Sequence, residues 1–465
     1  MASGLISDPG VIAGYLRDAS NTSGHAEGLL RPSTAAQVGE ILAQAQAQDM
    51  PVTLSAERTS TTGGPVPSGG WVLSTERFGG LQIQGDQVRV GAAVRLGEIQ
   101  EAAAEHGLFY PPDPTSWESC SVGGTIACNA SGARSFRYGP TRPWVLSAQV
   151  VWADGQVQEV DRQTPIPAGW PVPDWTPPAV KNATGFFPAD NLLDLIIGSE
   201  GTLGLVTAAT LRLLPLPEQV FSVLALFPDR RSGLDFVRQA RGEGPKPRLI
   251  EWYDTNCLEL IRARIPELPA QARVAIWLEH ETDLENEDTA IMAWAERIAA
   301  CGGLEDHTLL ACDPSSLQKL LHIRHAIPAG INEQVARNGM PKVGTDFSVP
   351  DSALEEMMAA YDAVEMDHVL FGHVGDNHLH LNLLPTSPEE LEQAWEIWGA
   401  LYDRALSLGG TLSAEHGVGK VKAPYLRKLV GDRGIQQFVA LKRAIDPAWV
   451  LGRGTLLAAP ITTSV

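Results

Sequence analysis

The chain has 465 residues, enough for two to four domains at about 150 residues each. It is 44% hydrophobic and 19% charged, which excludes disorder over most of its length. Its 35 basic and 55 acidic residues give a net charge of −20, and no Lys/Arg run supplies a local basic stripe, so nucleic acid is not expected as a partner.

The five cysteines (Cys120, Cys128, Cys257, Cys301 and Cys312) are scattered, odd in number and never spaced as CxxC. That pattern argues against a disulfide framework, a Cys-ligated iron–sulfur cluster or a zinc ribbon, and it suits a reducing compartment. The opening MASGLISDPG has no basic segment followed by an apolar core, so no signal peptide is expected. The most apolar stretch, Leu211 to Phe227, is interrupted by Pro215, Pro217 and Glu218 and falls short of the roughly 18 apolar residues of a membrane span. A cytoplasmic protein is expected, with peripheral docking on a membrane left open.

In chain order, Thr34-Ala35-Ala36-Gln37 predicts a capping box, followed by a helix carrying Val38, Ile41, Leu42 and Ala45. Short apolar runs follow at Val52–Leu54 and Trp71–Leu73, then a hairpin, Leu81–Ile83 and Val88–Val90 around Gly85-Asp86. A helix over Leu96–His106 ends at Gly107. No strand–GxGxxG–helix unit is found, which disfavours NAD. Leu146–Asp154 reads as a strand, the Pro-rich stretch from Pro165 to Pro178 as an irregular surface loop, and Gly198–Gly204 as the end of a strand.

Beyond Pro217 the rhythm changes. Strands at Phe221–Phe227, Leu249–Tyr253, Val274–Leu278 and Leu309–Ala311 alternate with helices at Leu234–Ala240, Cys257–Ala263 and Ile291–Ile298, a ferredoxin-like pattern. The acidic run Glu279 to Asp288 reads as a solvated connection. Helices are predicted at Ser387–Leu408 and Ile435–Ile445.

Three constellations carry chemistry. In Phe371-Gly-His-Val-Gly-Asp-Asn-His-Leu-His-Leu-Asn382, strand alternation puts His378, His380 and Asn382 on one face, with His373 one loop earlier. A lone histidine there would read as part of a hydrogen-bonded strand face; three within eight residues suit a divalent transition metal. In Thr411-Leu-Ser-Ala-Glu-His-Gly-Val-Gly419, a carboxylate adjoins an imidazole between glycines. Together the two motifs suggest a metal held by two His and one Glu, with open positions for substrate and a spare His as base. Finally, small-residue segments at Pro111–Ser116, Ser121–Gly132 and Gly198–Gly204 would let main-chain N–H groups approach a phosphate and a flat ring, which points to a dinucleotide-like cofactor.

In their order, Arg58-Thr-Ser-Thr-Thr-Gly-Gly64, Tyr110-Pro-Pro-Asp-Pro114, Val122-Gly-Gly-Thr-Ile-Ala127, Arg137-Tyr-Gly139, Gly198-Ser-Glu-Gly-Thr-Leu-Gly204, Gly372-His-Val-Gly-Asp376 and Glu415-His-Gly-Val-Gly419 resemble the FAD-linked D-2-hydroxy acid dehydrogenases and oxidases, the D-lactate, D-2-hydroxyglutarate and glycolate enzymes. The resemblance runs from about Gly28 to about Trp449. It implies an α+β fold: a two-lobed FAD-binding domain of vanillyl-alcohol-oxidase type (1–217), a ferredoxin-like cap domain (218–408) and a C-terminal helical segment returning to the FAD domain (409–465).

Carried over residue by residue, the resemblance implies FAD contacts at Arg58, Thr59, Ser60, Gly63, Gly64, Pro112, Asp113, Val122, Gly123, Gly124, Thr125, Ala127, Gly132, Tyr138, Glu200, Gly201 and Gly204. It implies zinc or a similar divalent ion on His373, His380 and Glu415, His416 as the base, Arg324 for the substrate carboxylate, and Asn382 beside them. The implied reaction oxidises a small D-2-hydroxy acid to the 2-oxo acid, with the hydroxyl acidified by the metal and hydride passing to flavin N5. With no histidine in the Ser55–Thr62 turn to tether the flavin, FAD is expected to be noncovalent. Electrons would leave to a quinone, a cytochrome, another flavoprotein or oxygen, and a homodimer is compatible with all of this.

Four positions depart from the family pattern. Ala56-Glu57-Arg58 stands where glycines usually form the pyrophosphate turn, and Asn377-His378 stands for the usual Gly-Asn. Gly344 occupies the position of a lysine found in members that act on dicarboxylic acids, with Lys342 nearby; Leu451-Gly-Arg-Gly454 replaces Asn-Pro-Gly-Lys. An oxidase of an aromatic or alkyl substrate, an ether-lipid synthase and a non-catalytic flavoprotein subunit are the competing readings.

Overall fold

The structure is a computed structural model describing residues 4–242, 247–265 and 268–458. Residues 1–3 of the leader reading and 459–465 of the expected C-terminal segment lie outside these.

Near the N-terminus, Gly28–Leu30, Trp71–Ser74 and Val52–Ser55 form a parallel three-stranded sheet in that spatial order. The expected first helix is present as Ala35–Ala47. Thr34 Oγ1 accepts the Gln37 N–H at 3.2 Å, while the Gln37 side chain accepts the N–H of Ser33 rather than that of Thr34. Val38, Leu42 and Ala45 pack on Val52 and Leu73.

An antiparallel five-stranded sheet follows, ordered Leu81–Gln84, Gln87–Gly91, Gly204–Arg212, Val145–Trp152, Val157–Asp161. The Gly85-Asp86 hairpin is as expected, with Gly85 at φ +61°. One expectation is overturned: Gly198–Gly204 does not end a strand. It leaves the short helix Leu192–Ile196 and opens the strand Gly204–Arg212. Asn191 caps that helix, its Oδ1 accepting the Asp194 N–H at 2.8 Å, and Leu192, Leu193, Leu195 and Ile196 are all buried. A short apolar run buried on every side carries no period to distinguish helix from strand.

The larger sheet has eight strands. Its first four stand in the order Leu309–Ala311, Gln219–Phe227, Val274–Thr282, Leu249–Tyr253, all antiparallel. With Arg230–Arg241 and Glu287–Ala300 this is the ferredoxin-like arrangement, interrupted by one further helix, Thr255–Arg262. The sheet then continues through His368–His373, His378–Leu383, Val343–Gly344 and Phe347–Ser348.

The start of the acidic run is not a solvated connection. Glu279 and Glu281 lie on the strand Val274–Thr282, and buried Glu279 pairs with Arg248 Nε at 2.6 Å. The Pro-rich segment is irregular as expected, yet it turns inward: Trp170 packs edge-on to Trp152 and Lys181 ends in the interior.

The predicted late helices are found as Pro388–Ser407 and Leu426–Ile445, the second broken at Gly431. After them the chain returns to the first sheet, where Val52 N–H donates to Val450 O at 2.7 Å. The helices not anticipated include Val122–Cys128, Pro314–Asn338 and Leu354–Asp362.

Candidate active site

The hairpin His368–His373/His378–Leu383 sets His373 opposite His378 in register. Its tight turn places Asn377 at φ +52°, a conformation that Asn tolerates better than most residues. Alternation then puts His380 and Asn382 on the face of His378. Glu415 comes from the glycine-flanked loop after Pro388–Ser407, and that loop is fixed from both sides. Asp346 Oδ2 accepts the His416 N–H at 3.1 Å, and the Glu200 carboxylate accepts the N–H groups of Val418 and Gly419, both at 2.7 Å.

The imidazoles converge on Glu415. His373 Nε2, His380 Nε2 and His416 Nε2 lie 3.2, 3.4 and 3.5 Å from its Oε1, and His378 Nδ1 lies 3.8 Å from Oε2. Lys181 Nζ reaches Oε2 at 2.7 Å. On their far sides His373 Nδ1 meets Glu251 Oε1 at 2.5 Å and His380 Nδ1 meets Thr345 O at 3.2 Å.

Burial alone would raise the Glu415 carboxyl; Lys181 and His373 hold it well below the usual carboxylate range. Burial opposes the charged form of His373 too, but Glu251 and Glu415 raise its pKa to about 9, while burial lowers His378 and His380. A ligand atom from each of His373, His378, His380 and Glu415 lies within 4.8 Å of the others. Neither ring nitrogen of fully buried His378 has an in-line hydrogen-bond partner, an orphan that a cation would satisfy. The donor set therefore fits a divalent transition metal.

Glu415 and His416 also line a cavity of about 420 Å³ between the two smaller sheets and the C-terminal return. Its walls include Arg58, Thr59, Ser60, Gly64, Gly123, Gly124, Thr125, Ala127, Glu200, Gly201 and Gly204 from the expected FAD set. A Cβ at Gly124 would stand 3.7 Å from both Ala56 Cβ and Ser121 Oγ, two wall residues, and buried Ser121 Oγ has no partner. A cradle of small residues with an unfilled hydroxyl fits a flavin nucleotide.

Gly63, Pro112, Asp113, Val122, Gly132 and Tyr138 stand outside that wall. Gly63 N–H donates to Asp18 at 2.9 Å, and Asp113 pairs with Arg134 at 3.3 Å. Gly132 packs so tightly on Asp113 O that a Cβ would come within 2.1 Å. Pro112 and Val122 are buried, and the Tyr138 hydroxyl donates to Glu281.

At the altered pyrophosphate turn Glu57 pairs with Arg95 at 3.6 Å. Arg58, at φ +58°, donates to Ala56 O at 2.8 Å and lies 4.6 Å over the Tyr15 ring. Arg324, on Pro314–Asn338, lies 5.7 Å over Trp277; burial works against its charge, and Tyr253, Glu251, Asp113 and Glu279 sustain it. Asn382 Oδ1 accepts from Lys342 Nζ at 2.6 Å.

The sequence reading missed Glu251, Asp346, Lys181 and Lys422. Lys422 Nζ holds Asp346 Oδ2 at 2.6 Å. Two of these carried a signal: Glu251 is an acid inside the apolar strand Leu249-Ile-Glu-Trp-Tyr253, and Asp346 opens the family motif Asp346-Phe-Ser-Val-Pro350.

Two family models match the chain: "FAD linked oxidases, C-terminal domain" over residues 216–456 and "FAD binding domain" over residues 26–161. Among curated proteins it is 29% identical to the glycolate oxidase subunit GlcD of Bacillus subtilis, covering 93% of this chain and 89% of that one. It is 30% identical to a D-lactate dehydrogenase of Archaeoglobus fulgidus (92% and 91%) and 32% to a D-2-hydroxyglutarate dehydrogenase of Xanthomonas citri (91% and 88%). A solved alkyldihydroxyacetonephosphate synthase shares the fold, with a TM-score of 0.71 at 15% identity over 97% of this chain and 82% of that one.

Proposed function

The chain belongs to the family of FAD-linked oxidases, and from that footing we propose that it oxidises a small D-2-hydroxy acid to the 2-oxo acid, with noncovalent FAD in the 420 Å³ cavity and a divalent ion, zinc, on His373, His380 and Glu415. The observation that carries this reading is that Glu415, on which the histidines converge, and His416 both stand in the wall of the flavin-sized cavity. When bound, FAD supplies a two-electron acceptor and the ion supplies Lewis acidity.

The remaining roles belong to the chain. His416 Nε2 accepts the hydroxyl proton; its Nδ1 lies 3.4 Å from Asp346 Oδ2, which orients the ring and sustains the imidazolium that forms. Asp346 can do this because Lys422 and Ser413 hold it, at 2.6 and 2.5 Å. Arg324 receives the substrate carboxylate: no ion pair within 4.0 Å is found for its guanidinium among the described residues, although Glu251 and Asp113 are near. Asn382 orients the substrate from the His380 face. Lys342, next to Asn382, offers a cation to a second carboxylate, which makes D-2-hydroxyglutarate the first substrate to try beside D-lactate and glycolate. The five cysteines are free and join no metal-binding group among the described residues, so electrons pass to an external acceptor: a quinone, a cytochrome, another flavoprotein or oxygen.

His416→Ala tests the assignment. Turnover should fall by roughly 10²- to 10⁴-fold while the bound flavin remains. Unchanged turnover on all three acids would remove His416 from its role.

A further inference from the structure

We propose that His378 is a fourth protein ligand of the divalent ion, so that three imidazoles and one carboxylate hold it rather than two and one. The inference rests on the metal reading above and extends it to a residue that replaces the asparagine of the family pattern.

The first argument is spacing. A zinc ion with ligands at about 2.1 Å sets tetrahedral neighbours roughly 3.4 Å apart. The nitrogens of His373, His380 and His378 stand 3.2, 3.4 and 3.8 Å from the two Glu415 oxygens. The His378 ring centre is 4.4 Å from that of His380 and 5.4 Å from that of His373. His416 is different: it joins a group only with Asp346 and His380, and its side chain is 35% exposed to the cavity.

The second argument is what lies behind each ring. A metal-bound imidazole is usually steadied through its other nitrogen by a carboxylate or a carbonyl. His373 has Glu251 there and His380 has Thr345 O. His378 has Asp346, whose Oδ1 lies 2.8 Å from Nε2 and which is itself held by Lys422 and Ser413. Nδ1 is left facing Glu415.

Other roles for this ring account for less. A structural imidazole would use both nitrogens, whereas Nδ1 has no hydrogen-bond partner and stands 3.8 Å from Glu415 Oε2. A substrate contact would reach the cavity, whereas His378 is 0% exposed and absent from the wall. A third imidazole favours borderline transition ions over magnesium or calcium.

The test uses the full-length flavin-loaded protein, stripped with a chelator and reloaded with one equivalent of zinc chloride. Zinc K-edge absorption should count three imidazoles in the unaltered chain and two in His378→Asn, and zinc should dissociate at least tenfold more readily from the variant. Two imidazoles in the unaltered chain overturn the proposal, whether or not the variant folds. An equal count in both proteins overturns it as well. If zinc fails to bind the unaltered chain stoichiometrically, the metal reading itself falls, an outcome distinct from binding with two imidazoles.

Discussion

Glu415 is the residue on which the proposed centre turns. One oxygen faces His373, His380 and His416; the other faces Lys181 and His378. Its buried charge is tolerated because cationic partners surround it, the condition that a buried carboxylate must meet. Substrate choice also sits at this scale. Lys342→Met should raise KM for D-2-hydroxyglutarate roughly tenfold to a hundredfold more than KM for D-lactate, the loss expected for one charged hydrogen bond. Steady-state kinetics on both acids would show it, and an equal change in both constants would remove Lys342 from substrate recognition. Glu200 carries a pH signature. Burial pushes its carboxyl up to about 7, against the two N–H groups that favour the charged form. Between the ordinary value near 4.5 and 7 the folded chain keeps a proton that the unfolded chain releases. Stability should therefore fall as pH rises through that window, by on the order of 3 kcal/mol from this group. Glu200→Gln should flatten that part of the profile, as read by denaturant midpoints at pH 5 and 7.5; identical slopes would show that Glu200 does not titrate there.

Among the elements, the hairpin carrying the histidines was legible and its surroundings were not. The two-residue period of His378-Leu-His-Leu-Asn382 states which side chains share a face, because a strand admits no other arrangement. Asp346, Glu251 and Lys181 arrive from the link between two short strands, a distant strand and an irregular loop, and no local period ties them to the hairpin. The helix Pro314–Asn338 keeps a helical apolar stripe of Leu320, Ile323, Ile327 and Ile331, but Pro328 inside it is a residue that ordinarily ends a helix. Arg324 was singled out by resemblance alone. The glycine-flanked loop was read correctly as a place of close approach: Gly419 sits at φ +56°, and a Cβ there would lie 2.1 Å from Thr62 O. Gly419→Ala should thus displace Glu415 and His416 together and release flavin, seen as a loss of the yellow colour on gel filtration. A variant that keeps its flavin and turnover would show that this approach is not required.

For the molecule as a whole, the sheet joins the ferredoxin-like strands and the histidine hairpin without a break. Leu249–Tyr253 pairs with Val274–Thr282 on one side and with the histidine hairpin on the other, through Trp252–Gly372 and Tyr253–Phe371. The C-terminal chain closes the opposite side by returning to Val52. This continuity keeps the histidines on rigid strands while the cavity wall is built from loops. No described helix is long and apolar enough to cross a membrane. Because the cavity and the proposed ion-binding cluster are built largely from separate segments, chelation should abolish turnover, leave the flavin bound, and be reversed by zinc. The measurement that reaches the central claim most directly is the visible spectrum of the purified protein, titrated without oxygen with D-lactate, glycolate and D-2-hydroxyglutarate. The account predicts a yellow protein that bleaches with at least one of them. A protein that stays colourless when FAD is added, or a yellow one that none of the three acids reduces, would contradict it.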